Sequence, residues 1–220
     1  MSDFRVLELR HRRGLPASGP SVEPSIEVSR FYFSNAVAAD ASPDFDAGWA
    51  HTNSRFKLLA SKASETISVI PIEDGGVEPI GQWVSDPLIA QTLTGSVKCY
   101  MQGRDPDGGG NVFSRLIAKV VSGDGSTVRG TLLALGNHGG SALVPTVTNR
   151  IFADGDNLSE VECQSGDRLV IEMGAINPGF ASVLILTGAD GVEVDLPENE
   201  TETGLLNPWI EFSNPILVAA

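Results

Sequence analysis

The stretch from Val112 to Leu135 (VFSRLIAKVVSGDGSTVRGTLLAL) limits what this chain can become more than any other. Two strand-length segments rich in Val, Ile, Leu and Thr flank Ser122-Gly123-Asp124-Gly125-Ser126, a cluster of small residues suited to reversing the chain. That pattern is a β-hairpin. Val112, Leu116, Ala118 and Val120 fall on one face and Arg115 and Lys119 on the other, the period of two expected when one face of a strand is buried. Asp124 sits between two glycines, where its side chain is expected to bond to the backbone of its own turn.

The rhythm recurs along most of the chain. Phe31 and Phe33 share a face opposite Tyr32. Val97, Cys99 and Met101 point inward, with Lys98, Tyr100 and Gln102 outward. Leu169, Ile171 and Met173 oppose Arg168 and Glu172, and Ile210 and Phe212 turn inward on the last strand. Pro87 and Pro215 mark edges or bulges. These segments and the turn signals between them predict an all-β chain, an antiparallel β-sandwich of jelly-roll-like form over residues 31–220. Residues 1–30, basic and rich in proline, are expected to form an extended arm. Residues 35–54 look like a loop, and Phe56, Leu59 and Ala63 have the spacing of a short helix over Arg55–Ser64.

Charge excludes some functions. The net charge of −13 repels phosphate, so duplex nucleic acid is not an expected partner. Asp154–Glu202 carries twelve carboxylates against the single base Arg168, as expected of a solvated exterior. The opposite bias sits in the arm, at Arg5, Arg10, Arg12 and Arg13 with His11. No apolar run follows them as in a secretory signal, and no stretch is long enough to insert in a membrane. Such an arm can dock on the acidic face of a neighbouring subunit; a frayed terminus is the alternative. Cys99 and Cys163 make no disulfide framework, and packed free thiols are expected, with a cross-sheet bridge left open.

Chemistry-bearing clusters are sparse. Asp105, Asp107 and Asn111 lie in a Gly-rich loop and are the set of oxygens best suited to Ca2+, although no bidentate Glu closes the loop and a plain hairpin loop is the simpler expectation. Asp154-Gly155-Asp156-Asn157 is a second such turn. No other cofactor is suggested. His11, His51 and His138 are far apart in sequence, and no nucleophile is favoured beside any of them. Glu160, Glu162 and Glu172 are nominal acid–base candidates but are expected to be outward-facing strand carboxylates. A non-enzymatic protein is the expectation. Of the aromatics that could stack on a sugar ring, Trp83 and Trp209 neighbour strands and look structural, Tyr100 lies in one, and Trp49, in a loop, is the best ligand candidate.

Four stretches in order carry a resemblance: Gly81–Leu88 (GQWVSDPL), Val121–Leu133 (VSGDGSTVRGTLL), Gly166–Glu172 (GDRLVIE), and Asp195–Glu198 (DLPE) with Pro208–Phe212 (PWIEF). The series resembles a group of β-sandwich virion proteins of tailed bacteriophages and prophage-like particles, over residues 31–218. The resemblance implies a structural component of a virion (tail, fibre or capsid surface), assembled in the host cytoplasm, a homo-oligomer in contact with other virion proteins. A carbohydrate- or receptor-binding module, directed at a host surface glycan, is the alternative. The group's pattern brings no active-site motif, and the first thirty residues lie outside it.

Overall fold

A computed structural model describes residues 24–72, 76–105, 112–140, 142–177 and 183–220. Every regular element in them is a strand: β1 (Ser25–Ala38), β2 (Arg55–Leu59), β3 (Ser68–Ile72), β4 (Gly76–Val84), β5 (Gln91–Leu93), β6 (Ser96–Arg104), β7 (Phe113–Val121), β8 (Val128–Gly136), β9 (Thr148–Asn157), β10 (Val161–Cys163), β11 (Arg168–Asn177), β12 (Val183–Thr187) and β13 (Trp209–Ala219). The all-β expectation holds.

Eleven strands form one sheet, in the order β3-β12-β6-β13-β1-β2-β4-β11-β7-β8, with β9 on the free edge of β6. All pairings are antiparallel except β2 with β4, so the sheet is mixed. β6 is its branch point: β9 runs along one edge, while β13 takes Val97–Tyr100 and β12 takes Gln102–Arg104 on the other. The sheet curls almost into a barrel until β7 and β9 meet, where the Ser114 hydroxyl donates to the Ile151 carbonyl at 3.3 Å. A two-stranded sheet of β5 and β10 lies outside it.

Curling gives the sheet one continuous inner face, which the alternating residues fill. Phe31, Phe33, Val97, Cys99, Met101, Leu116, Ala118, Val120, Leu169, Ile171, Met173, Ile210 and Phe212 all join the principal core, on the faces that alternation assigns. Trp83 lies among them fully buried; its indole N–H donates to Ser34 O at 2.8 Å and Phe33 meets its ring edge-on at 5.2 Å.

Two expectations need correcting. Arg55–Leu59 is a strand, wedged between β1 and β4, rather than the start of a helix. Five residues cannot distinguish the two periods, and here the open edges of β1 and β4 decide the outcome. The folded body also begins earlier than Phe31: β1 starts at Ser25, and Ser25–Val28 pair with Ala219–Ile216 of β13. The Arg5, Arg10, Arg12 and Arg13 side chains lie outside the described residues.

The hairpin stands as expected, with β7 and β8 joined through Ser122–Thr127. Gly125 takes φ +81°, a conformation that L side chains rarely adopt. Asp124 Oδ1 accepts from the Ser122 hydroxyl at 2.6 Å and the Ser126 amide at 3.0 Å. These bonds, the Ser122 hydroxyl first, hold its carboxyl down to about 2. Because the folded value is the lower one, the turn's contribution to stability is complete above the unfolded value and is lost as pH falls through about 2. A carboxyl 13C titration of Asp124 should show its midpoint near 2; a midpoint in the ordinary carboxylate range would mean that these bonds do not persist in solution.

Candidate functional site

The outward faces of the sheet carry the polar side chains that a binding or catalytic site would use, and two segments cover them. Residues 39–54 cross the outside of β4, β11 and β7. Ala41 seals onto Val84, Val121 and Val170, all outward-facing and buried. Beside this apolar seal lies Glu172, at the centre of β11, paired in register with Gln82 of β4. Its side chain is 0% exposed. Oε2 accepts from the Trp49 indole N–H at 2.7 Å and the Asp46 amide at 2.9 Å, and Oε1 accepts from Gln82 Nε2 at 2.9 Å and lies 2.6 Å from Lys119 Nζ. Lys119, itself 5% exposed, also donates to the Asp44 carbonyl at 2.8 Å. Arg55 Nε completes the cluster, donating to Gln82 Oε1 at 3.1 Å and the Pro43 carbonyl at 3.2 Å. A buried carboxylate persists only when its charge and lone pairs are matched in this way. Gly174 makes room for the covering segment: a Cβ there would stand 2.6 Å from the Trp49 ring and 2.0 Å from the Glu78 carbonyl.

Residues 188–208 cover the other outer face, across β1, β13, β6 and β9. Tyr32, Tyr100, Ile151 and Trp209 point outward from those strands and pack under Leu196 and Leu206. Trp209 Nε1 donates to Leu196 O at 2.7 Å, and the Arg30 guanidinium lies 3.9 Å over its ring. Arg30 also pairs with Asp195 at 2.8 Å and Glu211 at 2.7 Å, while Lys62 reaches Asp195 at 2.8 Å. Partial burial opposes ionisation of Asp195, but bonds from Lys62 and Arg30 outweigh it and set its pKa below the usual carboxylate value. Burial first, then the Asp195 charge, pushes the Tyr32 phenol up to about 12. Buried Asn149 of β9 fastens this flap to the sheet, and buried Asn207 ties the flap to itself. Asn149 Nδ2 donates to Pro197 O at 2.9 Å and to Asn199 O, and its Oδ1 accepts from the Glu202 amide at 2.9 Å. Asn207 Nδ2 donates to the Asp190 and Glu193 carbonyls, both at 2.8 Å.

The candidates from sequence therefore meet different fates. Trp49 is 6% exposed with its N–H committed to Glu172, so the open ring required of a sugar platform is not there. Tyr100, Trp83 and Trp209 are likewise buried. Asp105 is buried at the end of β6; Asp107 and Asn111 lie outside the described residues. Glu160 and Glu162 are exposed as expected, but Glu172 is not. Among the described residues no group of three or more His, Cys, Asp or Glu could hold a metal ion. His51 Nδ1 lies 2.8 Å from buried Glu78, and His138 contacts Asp156 at 3.3 Å and the Ala134 carbonyl at 2.9 Å. Cys99 and Cys163 are both buried and free. Burial raises both thiols, Cys163 to about 12 with help from the Asp167 charge. Sequence reasoning missed the Lys119–Glu172 cluster, although an outward Lys and an outward Glu on apolar strands were its trace.

No family model and no curated protein matches the chain. Among solved structures it is similar to two structures of a CocE/NonD family hydrolase from Staphylococcus aureus, at 13% and 10% identity and a TM-score of 0.45. Each alignment covers 91% of this chain but 38% of the hydrolase, so the chain spans well under half of that protein. An infectious bursal disease virus particle protein aligns over 93% of this chain and 58% of its own, at 10% identity and a TM-score of 0.25. Similarities this low bear on neither ancestry nor function.

Trp49 has a structural duty that can be measured. Trp49→Phe keeps most of the ring and removes one donor to the buried Glu172 carboxylate. The expected loss is about 1.5–3 kcal/mol in urea unfolding, the range for a hydrogen bond to a charged group. Unchanged stability would show that the indole N–H does not serve the carboxylate.

Proposed function

We propose that the chain is a non-enzymatic structural subunit of a phage-type virion, a jelly-roll-like sandwich that acts by assembling with copies of itself and with other virion proteins. The observation that carries the reading is where apolar surface remains. Among the described residues six large apolar side chains are exposed, and three of them, Val192 (89%), Val194 (63%) and Leu205 (56%), lie on the single flap 188–208. Asn207 N donates to the Val194 carbonyl, so the two limbs of the flap run side by side and these side chains belong to one local structure. Apolar side chains concentrated on one exterior feature mark an interaction surface.

The occupant that suits this surface is the N-terminal arm of a neighbouring copy. Glu193 and Glu198 border the flap with exposed carboxylates. Residues 4–13 (FRVLELRHRR) combine Phe4, Val6, Leu7 and Leu9 with Arg5, Arg10, Arg12 and Arg13, complementing both its greasy and its acidic character. The arm leaves the body at Pro24, whose carbonyl accepts from the Ala220 amide at 3.2 Å. On this reading the protein's place is the virion, after assembly in the host cytoplasm.

Truncation tests the reading, and the start of β1 sets where to cut. Deleting residues 1–23 should leave the melting temperature unchanged and abolish oligomers or particle incorporation, measured by light scattering and by particle purification. Deletion through Arg30 would instead remove the rungs between Ser25–Val28 and β13 and destabilise the body. Undiminished incorporation of the shorter truncation would sink the arm's role, and specific signals on a glycan array, dependent on Ca2+ or not, would move the reading to an adhesin.

A further inference from the structure

The cluster beneath residues 39–54 brings together three groups that can make an amide: a primary amine, a carboxamide and a carboxyl group between them. They come from three adjacent strands, Lys119 from β7, Glu172 from β11 and Gln82 from β4. All three residues are buried. Lys119 Nζ and Gln82 Nε2 lie 2.6 Å and 2.9 Å from the same atom, Glu172 Oε1, and both face the Asp44 carbonyl, at 2.8 Å and 3.5 Å. The amine and the carboxamide thus converge on the same two oxygens from opposite flanking strands. We propose that Lys119 and Gln82 condense into an intramolecular isopeptide bond, with Glu172 moving the protons and ammonia leaving.

Each part of the arrangement fits a step. Trp49 and the Asp46 amide occupy Glu172 Oε2, which leaves Oε1 as the oxygen that carries protons. A proton passes from Lys119 Nζ to Oε1, 2.6 Å away, leaving a neutral amine and a neutral acid. The freed lone pair of Nζ adds to Gln82 Cδ. Negative charge builds on Gln82 Oε1, where Arg55 Nε already donates at 3.1 Å, in the position of an oxyanion stabiliser. Glu172 gives its proton to Nε2 and takes one from the attacking nitrogen. The Cδ–Nε2 bond then breaks, its electron pair leaves with ammonia, and the carbonyl re-forms. The products are a secondary amide joining Nζ to Cδ, one ammonia, and a proton on Glu172 that the departing ammonia can carry away. No oxidant or co-reactant is needed. Gathering the groups on three adjacent strands replaces an encounter between separate molecules. The bond would tie β4 to β7 across β11, a covalent brace over the seal formed by Ala41, Val84, Val121 and Val170.

Intact-mass spectrometry of the denatured full chain decides the matter. The wild type is expected to be lighter than its sequence, after allowance for its N-terminus, by one ammonia. Fragmentation should yield one branched peptide joining Gln82 to Lys119. Lys119→Met and Glu172→Gln should both restore the full mass, and the wild type should melt higher than Lys119→Met. If Glu172→Gln fails to fold, the wild-type mass and the branched peptide still decide. A folded wild type that keeps its full mass on prolonged incubation overturns the proposal. So does the loss of one water, which would join Lys119 to Glu172, or an ammonia loss that persists in Lys119→Met.

Discussion

A carboxylate with no access to water stands at the centre of β11, and much of the local architecture is what its burial requires. Ionised Glu172 can remain there only if the protein supplies the bonds that water would have made. Lys119 and Gln82 come from the strands on either side, and the Asp46 amide and Trp49 indole from the segment laid across them. The same demand explains why residues 39–54 have a defined path: displaced, they would leave two acceptor sites on Oε2 empty. Gly174 belongs to this constraint too, because any side chain there would push Trp49 off the carboxylate. Polar atoms in this part of the protein specify where a loop lies, while apolar atoms supply the seal.

The second cover works under gentler conditions. Asp195 is 22% exposed and its partners Arg30 and Lys62 are 28% and 27% exposed, so water shares their solvation and the pairs contribute little individually. Here the fixing is done by neutral amides. Asn149 and Asn207 are fully buried, and each bonds to carbonyls of the flap that would otherwise be orphaned against the sheet. The flap thus presents its backbone inward, to asparagines and to Trp209, and its valines outward. A segment built in that sense has no intramolecular use for Val192 or Val194.

Alternation made the inner face legible in advance. Phe31 and Phe33, the Val97-Cys99-Met101 row and the Leu169-Ile171-Met173 row all lie where a period of two places them, because burial of one face leaves no other register open. What alternation could not show is whether an outward residue meets water. Tyr100, Gln102, Lys119 and Glu172 are outward and buried, because segments distant in sequence lie over them. Nothing local to β6 or β11 announces such a cover. Trp49 obeys the same limit: a tryptophan in a loop looks free until the loop's destination is known. Arg55–Leu59 failed differently, since a segment that short satisfies both periods and its neighbours in the sheet choose between them. The Asp124 turn was legible because every bond in it is made within five residues.

These outcomes shift where function should be sought. An outer sheet face would be a binding surface if it were bare, and in this protein both outer faces are used to hold covers in place. Over these two regions of the described residues, the surface open to a partner is the outside of the cover. The two are unlike: residues 39–54 bury their one tryptophan inward, whereas 188–208 exposes valines and a leucine in an acidic setting. Altering the outward valines should leave the fold intact, because the flap is held by Asp195, by Leu196 and Leu206 and by its carbonyls, and Val192 and Val194 take no part in those contacts.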